Sequence, residues 1–390
     1  MLADTPKEDV DAYLTWHFVR SIASRVGGAV EKEDFAFWMA YLNGAKQPKP
    51  RWKICTQAIE SQLGYGLAEA YVQTFDGKSI KAKTEEMIRQ IKAAFSAELV
   101  AISKGPDAWM DADTAAKAAE KLKAVAQKVG GPEKWRDYAS LRTNRNNYLD
   151  NVISAAQFES KRDIRKIGKP VDRTEWGMMP WEINAYYDRS KNEFNFPFGI
   201  LQPPSLDLTA SDGTNLGAFG GGTIGHELTH GFDNNGSQYD SKGNVKNWWS
   251  EQTLKQFETR AACYANQADQ YKVNQVGLNV NGKNTLEENL ADQGGVKLGY
   301  VVLDQELAKR PEAPLFAGKY NERQQYWLAY AQSWCTQITT ESLRERMTTD
   351  VHPPAEFRVN AVVMNLPAFA NDFACRTGAR LAPANRCRIW

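Results

Sequence analysis

The chain has 390 residues, 42% hydrophobic and 24% charged, a globular composition that excludes collagen, a disulfide-dense mini-scaffold and a disordered chain. With 48 basic and 47 acidic residues the formal charge is only +1, so no global field draws it to nucleic acid or to an anionic membrane surface. No apolar run reaches the ~20 residues of a membrane-spanning helix, and the opening Met-Leu-Ala-Asp-Thr-Pro-Lys-Glu-Asp is too polar for a signal peptide.

Up to about residue 165 the pattern is helix after helix. Thr5-Pro6 reads as an N-cap and a proline at the first helical position, followed by Val10, Tyr13, Leu14, Phe18 and Ile22 at helical spacing. A second helix is expected to open at Asp111 or Asp113, to carry Ala118, Leu122, Val125 and Val129, and to close at Gly130-Gly131. Trp16, Phe35, Trp38 and Trp52 are expected to pack helix on helix. Near residue 170 the texture changes. Glu182–Phe198 alternates as a strand, a turn at Asp188-Arg189-Ser190 and a second strand, and Gly217–Gly225 holds five glycines before an apolar helix start. The remainder is mixed but mainly helical.

The chain has four histidines, and two of them lie in His226-Glu227-Leu228-Thr229-His230. Four residues is just over one helical turn, so both imidazoles project from one face, roughly 6 Å apart along the axis. That spacing suits two ligands on one Zn²⁺, with Glu227 on the rim placed to deprotonate a water. The longer pattern with a third histidine fails, because residue 233 is Asp and residue 236 is Gly. A third ligand must come from elsewhere. Glu287–Gly295 reads as a second helix with carboxylates at i and i+4, Glu288 and Asp292, able to supply one ligand and one carboxylate that fixes a histidine tautomer. A closed structural zinc site is disfavoured, since no cysteine lies near the pentad.

Several blocks together make the sequence resemble the neprilysin and endothelin-converting-enzyme zinc metallopeptidases. They are Asn184-Ala185-Tyr186-Tyr187, the stretch Phe196–Pro204, Ile224–Asp233, Glu288-Asn289-Leu290-Ala291-Asp292, Thr349–Pro354 and Cys387-Arg388-Ile389-Trp390. The resemblance implies a mainly α fold with a small β-sheet. Residues 1–110 would be part of a helical cap, 111–170 a helical linker and 171–390 a zincin-type α+β catalytic domain. It implies one zinc per chain held by His226, His230 and Glu288, with Glu227 as general base. Asp233 and Asp292 would orient ligand histidines, Asp292 also matching a described proton donor. His352 would steady the oxyanion and Arg358 would bind a substrate carbonyl. Asn184 and Ala185 would pair with the peptide backbone, and Ile200 and Trp334 would line a hydrophobic pocket. Ser205, Thr223 and Ser333 depart from the aromatic residues or valine often found at those positions.

The function so implied is hydrolysis of oligopeptides on the amino side of hydrophobic residues. The alternative is a truncated, inactive relative that binds zinc and peptides. Members of the family carry a long N-terminal part that completes the cap, and a segment of that kind is expected as a partner. Of five cysteines, Cys263 and Cys335 match a bridged pair, while Cys55, Cys375 and Cys387 match positions whose partners lie in that N-terminal part. This odd set implies extracytoplasmic space, whether periplasmic, secreted or membrane-anchored through that N-terminal part, the alternative being buried free thiols in a reducing cytosol.

Overall fold

Helix and strand boundaries follow local chemistry over most of the chain, for which the structure, a computed structural model, describes residues 4–74, 77–311 and 315–390. The first helix is Lys7–Ile22, with Pro6 at its N-cap and not inside its first turn. The second expected helix starts where its cap directs: the Asp111 carboxylate accepts the Thr114 N–H at 2.9 Å. It stops earlier than expected. Ala112–Ala124 is helical, and Ala126–Gly130 is a strand, β1. The valines at 125 and 129, both buried, fit an extended backbone better than a helical turn.

β2 (Tyr186–Asp188) and β3 (Glu193–Pro197) form the expected antiparallel hairpin, shortened so that Ile183 lies outside it, exposed. Its turn extends to Asn192, which takes φ 49°, a conformation that asparagine tolerates. β1 joins β3 in parallel, from Ala126 opposite Glu193 to Gly130 opposite Pro197. The order β1-β3-β2 leaves β2 as an outer strand.

The residues fall into two units. The first comprises the chain up to Leu67, Trp135–Asp172 and Ile338–Arg346; the second comprises Ala68–Lys134, Arg173–Gln337 and Met347–Trp390. The division does not fall at residues 110 and 170. Ala112–Ala124 and β1 belong to the second unit because β1 is part of its sheet. The core of that unit runs from Met87 and Phe95 through Phe194 and Phe196 to Tyr326 and Tyr330.

The first unit is helical, and its apolar residues are less covered than expected. Lys7–Ile22 has no buried residue, and Tyr13, Leu14 and Phe18 are each more than half exposed. Trp16 and Trp52, expected in helix contacts, are each 64% exposed. Trp38 is half-buried with the Arg20 guanidinium 4.2 Å from its ring centre.

The cysteines also depart from expectation. Cys263, on the helix Glu251–Asp269, is bridged to Cys387 and not to Cys335. Packing the C-terminal segment against that helix brings the two Cα atoms to 5.7 Å, within disulfide reach, whereas Cys335 is exposed. Cys55, Cys335 and Cys375 are thiols.

Candidate metal centre

The pentad closes a continuous helical rod. The Ser211 hydroxyl caps it by accepting the Thr214 N–H at 3.1 Å. Asp212–Asn215 is α-helical, Leu216–Gly225 is wound more widely as a π-helix, and His226–Thr229 returns to α geometry. The glycines of this rod meet those of a second helix, Leu286–Leu307. A Cβ on Gly295 would lie 2.3 Å from the His226 backbone N, and one on Gly299 would lie 2.6 Å from Gly221 Cα. Only bare backbone fits along this seam. The approach is what brings Glu288 and Asp292 against the pentad.

His226, His230 and Glu288 are all buried and offer ligand atoms within 4.8 Å of one another. The two Nε2 atoms are 3.0 Å apart. The Glu288 oxygens lie 3.4 Å from His226 Nε2 and 3.5 Å from His230 Nε2. Each ring is held from behind. His226 Nδ1 is 2.8 Å from Asp292 Oδ1, and His230 Nδ1 is 2.7 Å from Asp233 Oδ2. With Nδ1 donating to a carboxylate, each ring in its neutral form presents a lone pair at Nε2. Two such lone pairs and a carboxylate aimed at one spot form a donor set that calls for a cation and fits the nitrogen and oxygen preferences of zinc.

The surrounding carboxylates draw positive charge onto the rings, a charge that a bound metal would supply in place of ring protons. Burial acts to lower the His226 pKa, but the hydrogen bond and charge of Asp292, with Glu288 beside it, raise it to about 10. Burial would raise Glu288; the two histidines and Arg358 nevertheless hold it well below the usual carboxylate range. Glu227 behaves differently, since burial pushes its pKa up more than the histidines and Arg358 pull it down. It is the more basic carboxylate of the two, as a proton acceptor requires.

Around this group the structure places the other expected residues unevenly. Arg358 is buried and grips Asp292 with two 2.7 Å bonds, reaches Glu288 at 3.1 Å and lies 4.0 Å from the Trp334 ring centre. His352 is half exposed, with Nε2 3.4 Å from Glu288 Oε1 and Nδ1 2.7 Å from Asp350. Asn184, exposed, and Ala185, buried, immediately precede the outer strand β2. Ile200 is half-buried against the core in the turn after β3.

Two contributors escaped the sequence reading. Asp350 fixes the His352 ring, and its signal was an acid two residues upstream. Lys121 is only 1% exposed. Its signal was a lysine standing in the apolar stripe Ala118, Leu122, Val125. Burial lowers its pKa against the opposing pull of Asp233 and Asp240.

The fold and this donor set together define a member of peptidase family M13: the models of that family match residues 1–132 and 184–389, and the chain belongs to it. The endothelin-converting enzyme homolog of Locusta migratoria is 35% identical over 387 residues, covering 97% of this chain and 52% of that protein. Neprilysin-3 of Drosophila melanogaster is 34% identical over 98% of this chain and 49% of its own length. The structure of the Mycobacterium tuberculosis zinc metalloprotease Zmp1 in complex with inhibitor aligns with TM-score 0.92 and 33% identity, over 100% of this chain and 58% of that one. The chain thus spans about half the length of the curated relatives it matches.

Proposed function

We propose that this chain carries the active centre of a zinc endopeptidase acting on oligopeptides. The observation that carries the reading is the convergence of His226 Nε2, His230 Nε2 and the Glu288 carboxylate, with Asp292 and Asp233 behind the rings. Zinc bound there would supply Lewis acidity, polarising the scissile carbonyl and acidifying water. The protein's part is positioning and proton transfer. Glu227 takes the proton of the attacking water and delivers it to the leaving amine. His352, half exposed beside Glu288, donates an N–H to the developing oxyanion. The Arg358 guanidinium, locked on Asp292, binds a substrate carbonyl. Backbone at Asn184 and Ala185 extends the outer strand β2 and pairs with the peptide as an added strand. Ile200 and Trp334 give the hydrophobic preference after the cut.

Metal analysis tests the centre directly. The purified chain should hold one zinc, lose it to a chelator and regain it on readdition. Glu288→Gln should weaken zinc binding by ~10-fold or more, as loss of a charged ligand or its support does. Unchanged zinc affinity in that variant would remove Glu288 from the ligand set.

A second reading, that the chain needs a further N-terminal segment to turn substrate over, has its own support in the bare helix Lys7–Ile22 and the exposed Trp16 and Trp52. Apolar surface of that kind marks a partner site. With Cys387 tied to Cys263, the bridging points for that segment are Cys55, Cys335 and Cys375. Oxidised pairing of this sort supports a location outside the cytoplasm. Co-expression with an N-terminal segment taken from a full-length relative should yield a covalent complex in which those three thiols no longer react with a maleimide. Three reactive thiols in a fully active lone chain would overturn the partner.

A further inference from the structure

Lys121 lies on the helix Ala112–Ala124, outside both motifs that supply the metal ligands, yet it is almost wholly buried against the end of the pentad helix. Its ammonium has three N–H groups, and three carbonyls receive them: Gly231 at 2.6 Å, Gly236 at 2.7 Å and Tyr239 at 2.7 Å. The rings of Phe232 and Trp248 flank it, with centres at 5.4 Å and 5.8 Å. The first carbonyl follows His230 directly, where the helix ends and its last carbonyls lack intrahelical partners. The other two belong to the loop that folds back over that end. A Cβ on Gly236 would sit 1.8 Å from the His230 carbonyl oxygen, so the loop returns to within touching distance of the ligand it left.

Between the first and second of those carbonyls lies Asp233. One of its oxygens accepts the N–H groups of Asn235 at 2.8 Å and Gly236 at 2.6 Å; the other lies 2.7 Å from His230 Nδ1. Gly236 is therefore held through its carbonyl by Lys121 and through its N–H by Asp233. The ammonium is the hub about which the loop winds, and the loop aims the carboxylate at the ligand histidine.

We infer that Lys121 is a positioning residue of the metal centre, setting His230 for zinc through Asp233 by gathering the carbonyls of Gly231, Gly236 and Tyr239. The inference rests on the zinc-site reading and deepens it. Without the ammonium, the buried Gly231 carbonyl loses its donor, and the Gly236 and Tyr239 carbonyls keep only the Tyr239 N–H and the Trp248 Nε1–H. The loop must then open toward water, and Asp233 leaves His230 with it. Support lost from behind a ligand histidine typically weakens metal binding ~10–100-fold.

The test is a double-mutant cycle on the full chain with Lys121→Met, Asp233→Asn and the pair, reading zinc affinity by chelator competition and site geometry by the visible spectrum of the Co²⁺-loaded protein. Lys121→Met should lower zinc affinity ~10-fold or more and shift the Co²⁺ bands. The pair should bind zinc no more weakly than Asp233→Asn alone, since both remove one arrangement. Unchanged affinity in Lys121→Met would overturn the inference, and so would fully additive losses, which mean that Lys121 acts apart from Asp233. Lys121→Gln, which keeps two donors, should fall between wild type and Lys121→Met, and it serves if the methionine variant does not fold. Failure of both to fold would assign the ammonium to the fold and not to the site, again overturning it. Failure of the wild type itself to bind zinc would instead sink the zinc-site reading.

Discussion

Glu227→Gln should keep zinc bound and lower kcat at least ~100-fold, the lower end of what a positioned general base contributes. The substitution preserves the shape of a buried side chain and removes its basicity, and the His226, His230 and Glu288 donor set is left whole. KM should change far less than kcat, because the missing proton transfer matters only in the transition state. The assay pairs metal content with hydrolysis of a quenched oligopeptide, using the chain together with its N-terminal segment if turnover requires one. A variant that keeps more than about a tenth of wild-type kcat would take the base role away from Glu227.

Gly295→Ala should be among the most damaging single methyl groups that could be added to this protein. The new Cβ would meet the His226 N at 2.3 Å, the Gly221 carbonyl at 2.5 Å and Gly225 carbon at 2.7 Å. All three are backbone atoms, so no side chain can swing aside; the two helices must separate. Overpacking of a filled site destabilises by about 1–3 kcal/mol and occasionally more, and this position belongs at the upper end. The separation also withdraws Glu288 and Asp292 from the pentad. Zinc affinity should therefore fall together with the melting temperature. If calorimetry and chelator competition both matched wild type, the seam would have slack that the distances deny.

The sequence disclosed the chemistry of the site better than its setting. His226 and His230 are adjacent in sequence, one turn apart, so a helical assumption alone puts them on one face. Glu288 and Asp292 lie far along the chain, and their arrival depends on a glycine-lined helix crossing that periodicity does not encode. For the same reason the pattern left open which carboxylate holds which ring; in the structure Asp292 backs His226 and Asp233 backs His230. Val125–Gly130 shows the opposite case. Its local pattern continues the preceding helix, but pairing with β3 claims the backbone, and tertiary contacts override propensity. The cysteines mislead in a further way: bridge partners are set by distance in the fold, and only the packed C-terminal segment brings Cys387 to Cys263.

The interleaving of the two units bears on how the protein is made. Each is assembled from three separated stretches, and the first includes Ile338–Arg346 along with residues before Leu67. On a ribosome the early helices emerge long before the segment that finishes their unit, so they must wait unassembled for most of translation. Contacts of such long sequence separation slow folding and leave apolar surface open to aggregation meanwhile. Cutting the gene at a sequence boundary would yield no autonomous piece. A nick in a surface loop, by contrast, should leave both fragments associated, since at least one unit draws on chain from both sides of the break.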